Sequence, residues 1–352
     1  MQLYNLEFSE EEIREAAAAD RLLSMEIEFS RACNFRCVYC YQEERTASVE
    51  ELSREEIRQT ILQARELGAR KIIILGGEPT IYPHLVEMLH FLGSLDLQIE
   101  LFTNGSGVTP DLARVLAEEN VRVVVKMNSR DAGLQDRLAG TQGAYAHIQN
   151  ALNHLHQAGY PGRDRFLAAS TIICRQNIRE LPDLWQWLRQ QGIEPYFEIL
   201  TPQANAQRNR WLMVESHELH ALFLRLAEID RTQFGRHWQP QPPLVGNRCM
   251  RHQVSCVVTA TGVVMPCVGV TIPLGSVRDQ RLAAILQHQV IRDLKNYQQT
   301  IKGPCGTCRK KGECYGCRGA AYQLTGDYLA SDPTCWHYNA NGGEFCMGSP
   351  KR

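Results

Sequence analysis

S-R-A-C-N-F-R-C-V-Y-C-Y-Q, from Ser30 to Gln42, places three thiols at C-x3-C-x2-C spacing in Cys33, Cys37 and Cys40. A [4Fe–4S] cubane takes one thiolate per iron, so a three-thiol loop leaves one iron open to a substrate or cofactor. The competing readings are free thiols or zinc, but zinc sites close tetrahedrally around C-x2-C pairs, which this triplet matches poorly. The alternating stretch M-E-I-E-F-S at 25–30 reads as a strand that delivers the loop from its C-terminal end.

Outward from the loop, strand, loop and helix patterns alternate. Before it, residues 9–24 have helical spacing, with a capping box at Ser9 and Glu12. After it, helices are expected at 54–68, 83–93, 110–118, 144–158 and 180–191, with strands at 71–75, 97–103, 121–127, 166–173 and 195–200. Strands separated by helices predict an α/β fold with right-handed crossovers and a parallel sheet. Chemistry in such sheets gathers at the C-terminal strand ends. Those ends carry the Cys loop, Gly76-Gly77-Glu78-Pro79, Thr103-Asn104-Gly105, Lys126-Met127-Asn128-Ser129-Arg130 and Cys174-Arg175-Gln176-Asn177.

The totals exclude several classes. The chain has 352 residues, 44% of them hydrophobic and 22% charged, with a net charge of -1. It shows no basic stripe for nucleic acid, no apolar run long enough for a membrane span, and no signal-peptide pattern at its start. A cytoplasmic protein without nucleic-acid or membrane partners is expected. Its 13 cysteines then argue for metal binding rather than disulfides.

The triplet, with Tyr39 and Tyr41 flanking its last Cys and Gly76-Gly77-Glu78-Pro79 after the second strand, resembles the radical S-adenosylmethionine (radical SAM) superfamily. The resemblance implies a partial (β/α)6 TIM-like barrel. It implies that the methionine part of SAM chelates the open iron, and that one electron cleaves SAM to a 5′-deoxyadenosyl radical. Gly76, Gly77, Glu78 and Pro79 would bind the SAM amino group, with Tyr39 beside the cofactor. Asn104, Ser129 and Arg130 would lie near its ribose or carboxylate, although M-N-S-R-D departs from the S-x-D pattern of the family.

Nine further cysteines follow a proline-rich break at Q-P-Q-P-P. S-C-V-V-T-A-T-G-V-V-M-P-C reads as a hairpin with T-G at its turn. Two structural zincs would suit the C-x2-C pairs of this array. The array resembles the SPASM extension of radical SAM enzymes, with x2 where the family has x3 before the fourth Cys of the compact run. By that resemblance Cys249, Cys256, Cys267 and Cys317 hold one auxiliary [4Fe–4S] cluster, and Cys305, Cys308, Cys314 and Cys335 a second. With the SAM cluster that makes three. Cys174 and Cys346 are left over. The implied organisation is a lead-in helix at 1–24, a barrel at 25–210, a helical connector at 211–240 and a SPASM domain at 241–352.

The implied reaction is hydrogen-atom abstraction followed by oxidation of the substrate radical: a dehydrogenation, cross-link or maturation of a small molecule or peptide. A redox-neutral epimerase with Cys174 as hydrogen-atom donor is the alternative, and an iron–sulfur electron carrier a third reading. Glu198, Arg175 and Tyr196 are candidates for facing the substrate. Too few residues precede Cys33 for a fused leader-binding domain, which points to a small molecule or to a peptide presented by a separate protein. The expected electron source is a partner such as flavodoxin or ferredoxin.

Overall fold

The computed structural model describes residues 8–42, 50–241, 249, 251–312 and 314–337; Cys346 lies outside them. Ser9 and Glu12 close a reciprocal capping box on α1 (Glu10–Ala18), as Ser53 and Glu56 do on α2 (Arg54–Glu66). Each box satisfies two N–H groups at the helix start. The lead-in helix expected over 9–24 stops at Ala18. Asp20 turns into the left-handed region at φ 53°, and the Leu22 and Leu23 N–H groups donate to the Leu67 and Val254 carbonyls instead of to the helix.

The barrel elements follow the sequence pattern closely: β1 (Ser24–Glu28), β2 (Lys71–Leu75), α3 (Leu85–Ser94), β3 (Gln98–Thr103), α4 (Pro110–Glu118), β4 (Arg122–Lys126), α5 (Ala132–Ala139), α6 (Ala144–Gln157), β5 (Leu167–Ile173), α7 (Leu181–Gln190) and β6 (Glu194–Ile199). The six strands pair in parallel, each with its sequence neighbour, and β6 does not return to β1. The result is an open, partial (β/α)6 barrel. Side chains alternate between the faces of each strand. Met25, Ile27, Ile72 and Ile99 therefore enter the main apolar core, while Glu26, Lys126, Ser170 and Glu198 line a cavity on the other face.

Beyond β6, α8 (Ala204–Arg208) forms at the end of the stretch assigned to the barrel, and α9 (Ser216–Phe234) lies within the helical connector expected at 211–240. Then come α10 (Arg251–Val254), β7 (Val257–Val258), β8 (Val263–Met265) and β9 (Gly275–Ser276). Five short helices complete the described chain: α11 (Leu282–Ile285), α12 (Gln289–Lys295), α13 (Tyr297–Thr300), α14 (Gly303–Thr307) and α15 (Arg318–Thr325).

The expected hairpin is β7 and β8, turning at Gly262 with φ 86°. It joins the barrel sheet: β7 runs parallel to β1, with Glu26 opposite Val257 and Ile27 opposite Val258. β8 and β9 continue antiparallel, giving a nine-stranded sheet. An open sheet leaves unpaired N–H and C=O groups along its edge strands, and the hairpin covers those of β1. No helix among the described residues is long and apolar enough to cross a membrane.

Candidate active site and cluster sites

The Cys loop has no regular structure of its own and is held from three sides. On the first, Gly77 N–H donates to Ser30 O at 2.8 Å and Glu78 N–H to Ala32 O at 2.7 Å. Here the two glycines are required: a Cβ on Gly77 would stand 2.1 Å from Ala32 O, and one on Gly76, at φ 138°, would stand 2.5 Å from Ser30 O. On the second, the last carbonyls of α5 accept from the loop, Ala139 O from Arg36 N–H and Leu138 O from Val38 N–H. On the third, α8 reaches across: Asn205 N–H donates to Cys40 O, its side-chain amide to Cys37 O, and the Asn209 amide to Val38 O. The clamping role of α5 and α8 goes beyond the sequence reading. Its one signal was Asn205 and Asn209 four residues apart, a spacing that places side chains on one helical face.

Cys33, Cys37 and Cys40 line one cavity of about 250 Å³ at the C-terminal strand ends. Gly76, Gly77, Glu78, Asn104 and Tyr39 share its wall. Glu78 is 2% exposed, and its carboxylate accepts from Thr80 N–H, Thr80 Oγ1, Thr103 Oγ1 and Asn104 N–H at 2.5–3.0 Å. It thereby locks the second strand end to the third. Pro79 is buried and starts the short 3-10 turn Pro79–Ile81 behind the cavity. Asn104 bridges to the Cys loop through Asn34 at 3.0 Å, with its amide 3.9 Å from Cys33 Sγ.

Ser129 and Arg130 correct the sequence expectation, because neither lines the cavity. Ser129 is buried and accepts from Asp131 N–H. Arg130 is exposed and sits over the Trp187 ring, 5.0 Å from its centroid. Asn128, buried and also outside the lining, braces the wall from behind, donating to Tyr39 Oη at 2.5 Å and accepting from Ile172 N–H. Lys126 lines the cavity, donates to Ser170 Oγ at 3.0 Å, and has its ammonium pushed down by burial, against the raising effect of Glu198.

Glu198 and Tyr196 line the cavity, as does Arg251, which pairs with Glu26 at 2.7 Å. Gln203 also lines it and went unnoticed in the sequence; its Oε1 is buried with no partner among the described residues. Arg175 faces outward toward Glu218 at 3.6 Å. Cys174 is 1% exposed, packed in an apolar cluster with Leu134, Leu138 and Leu200, and does not line the cavity. Its place at the end of β5 is on the catalytic side, but its side chain belongs to the core.

A second cavity, of about 100 Å³, lies against the first and has Cys249, Cys267 and Cys317 in its wall; Cys256 is absent from it. His252, Tyr315 and Arg318 are among its polar lining residues. Burial, with Arg318 and Arg251 adding to it, pushes His252 down to about 3. A third cavity, of about 30 Å³, gathers all four of Cys305, Cys308, Cys314 and Cys335. No described cysteine is in a disulfide.

These donor sets suit iron–sulfur clusters: soft thiolates in two groups of three and one of four, with three thiols where one iron must stay open. Burial pushes the Cys37 and Cys267 thiols up to about 12, and a bound metal would favour their thiolates.

The chain matches the radical SAM superfamily over residues 27–188 and the SPASM iron–sulfur cluster-binding domain over residues 249–317. It is 26% identical over 345 residues to an AdoMet-dependent heme synthase of Methanosarcina barkeri, covering 90% of this chain and 96% of that one. It is 26% identical over 334 residues to a PqqA peptide cyclase of Methylocella silvestris, covering 88% and 86%. The crystal structure of Streptococcus suis SuiB bound to S-adenosylmethionine shares the fold, with a TM-score of 0.69 at 15% identity over 90% of this chain and 77% of that one. The two family matches fall on the two cysteine regions that the cavities bring side by side, and the chain belongs to the radical SAM superfamily, with a SPASM domain following its barrel.

Proposed function

We propose that this enzyme oxidatively modifies its substrate in the cavity lined by Cys33, Cys37 and Cys40, and passes the substrate's electron to an auxiliary cluster next door. The supporting observation is a shared wall: Tyr196, Glu198, Thr201, Arg251 and Gly269 line both the first and the second cavity. When bound, SAM and its cluster supply a 5′-deoxyadenosyl radical that takes a hydrogen atom from the substrate.

The chain's own residues prepare that event. Cys33, Cys37 and Cys40 would hold the cluster, and the Gly76-Gly77 backbone with Asn104 and Tyr39 forms the SAM side of the cavity. Lys126, Glu198 and Arg251 set a polar, charged floor that orients the substrate. Cys249, Cys267 and Cys317 would hold the nearer auxiliary cluster, and Cys305, Cys308, Cys314 and Cys335 the farther one. Electrons for SAM cleavage come from a reducing protein of the flavodoxin or ferredoxin type.

The names of the relatives offer two substrate classes, a peptide through the PqqA peptide cyclase and a heme-type tetrapyrrole through the heme synthase. The epimerase reading has less support, since Cys174 is buried among Leu134, Leu138 and Leu200. Anaerobic turnover with each substrate class, SAM and a reductant tests the proposal. Expected is 5′-deoxyadenosine formed together with an oxidised product. C267A should retain SAM cleavage and lose the product; product formed unchanged by C267A would overturn the electron route.

A further inference from the structure

The second cavity presents three thiols where a closed cubane takes four ligands. The thiol expected to supply the fourth bond, Cys256, is 0% exposed and belongs to the main apolar core together with Val258 and Ile27. Successive side chains of an extended segment point to opposite faces, so Cys256 and Val258 share the face beneath the helices. Pairing of Val257 with Glu26 and of Val258 with Ile27 fixes that face. Bringing Cys256 to the cavity would require a one-residue slip that turns Val258 out of the core as well.

The cavity wall holds another donor. His252, three residues after Cys249, is 3% exposed and lines the same cavity as Cys249, Cys267 and Cys317. Its ring packs against Tyr315 with centroids 5.5 Å apart, and its Nδ1 is buried with no hydrogen-bond partner among the described residues. A buried polar atom left unsatisfied is costly in a folded protein. A bond to iron removes that cost, and imidazole is a known substitute for thiolate on iron–sulfur iron.

We propose that His252, rather than Cys256, is the fourth ligand of the auxiliary cluster held by Cys249, Cys267 and Cys317. This rests on reading that cavity as a cluster site. A neutral imidazole in place of one thiolate leaves the cluster one unit less negative and raises its potential. A cluster tuned in this way accepts an electron from a substrate radical in the adjoining cavity more readily than an all-cysteine cluster.

The test uses the full chain, reconstituted anaerobically without SAM and reduced, with histidine supplied as either 14N or 15N. Pulsed electron paramagnetic resonance should show a strong nitrogen coupling that changes with the label. The coupling should persist in C256A, which keeps its iron, and in H337Q, because His337 lines the third cavity. It should vanish in H252C, which keeps its iron while the auxiliary potential shifts downward. If H252C fails to fold, the labelled wild type and H337Q still assign the nitrogen. A wild type with full iron and no histidine coupling would overturn the inference, as would loss of about four irons per chain in C256A, one cubane's worth. If C267A and wild type hold equal iron, the cavity holds no cluster, and the underlying reading falls together with the inference.

Discussion

At the scale of single residues, the site depends on side chains that face the chain more than on those that face the ligand. Glu78 offers two carboxylate oxygens to four donors in a buried position. Glu78→Gln keeps the shape but points an amide N–H at one of those donors. It should cost about 1–3 kcal/mol in urea unfolding, the cost of leaving a buried polar group unsatisfied, and should weaken SAM binding measured by equilibrium dialysis. Gly77→Ala acts on the other strand of the same crossing. Its methyl would meet Ala32 O, which is backbone and cannot swing aside. The Cys loop must then move, and the purified variant should lose about four irons per chain, one cubane, with the auxiliary sites still filled. Iron and sulfide analysis reads both. Arg130→Ala, exposed and outside the cavity, should leave SAM cleavage within about twofold of wild type, since exposed substitutions away from such features cost little.

At the scale of elements, what was legible in the sequence is what covalent spacing and strand period encode. KIIIL and LQIELFT read as strands because alternate residues have two apolar faces or one, and the loops between them inherit their position from the sheet. The strand-end positions of the Cys triplet, Gly76-Gly77-Glu78 and Asn104 followed from that, while their cluster and SAM roles came from the family resemblance. Three things did not. Ser129 and Arg130 come three and four residues after β4 ends at Lys126, so the alternation that puts Lys126 in the cavity does not fix their direction. The clamping of the Cys loop by α5 and α8 depends on backbone carbonyls and amides whose partners lie as many as 171 residues away, as for Asn209 and Val38. The pairing of β7 with β1 also joins distant segments, and it makes the cysteine-rich region part of the barrel sheet. Truncation after residue 241 would strip β7 from β1 and expose an open parallel edge with apolar neighbours. That shortened chain should self-associate, which light scattering after size-exclusion chromatography would register; a monodisperse monomer would mean that the edge is covered by other means.

At the scale of the whole molecule, folding and cluster loading are linked through protons. Burial raises the Cys37 and Cys267 thiols to about 12 and the Cys314 thiol to about 11, against 9.0 ordinarily. In the iron-free chain the folded state therefore holds protons that the unfolded state gives up between pH 9 and these higher values. A raised thiol contributes its stability fully below pH 9 and loses it as pH rises toward 11 or 12, by up to about 1.4 kcal/mol per pH unit for each proton. The iron-loaded chain has its ligating thiols already deprotonated, so this loss should disappear for them. Urea midpoints followed from pH 8 to 10.5 should fall for the chelated protein and stay nearly level for the loaded one. The same linkage requires that cluster assembly at pH 8 release close to one proton per ligating thiol, measurable by calorimetry in buffers of different ionisation enthalpy. His252 adds a contrast within this scheme: as a neutral ligand it has no proton to release. The second cavity should then yield about three protons where four thiolates would yield four, a count that rests on its three wall thiols and is independent of any spectrum.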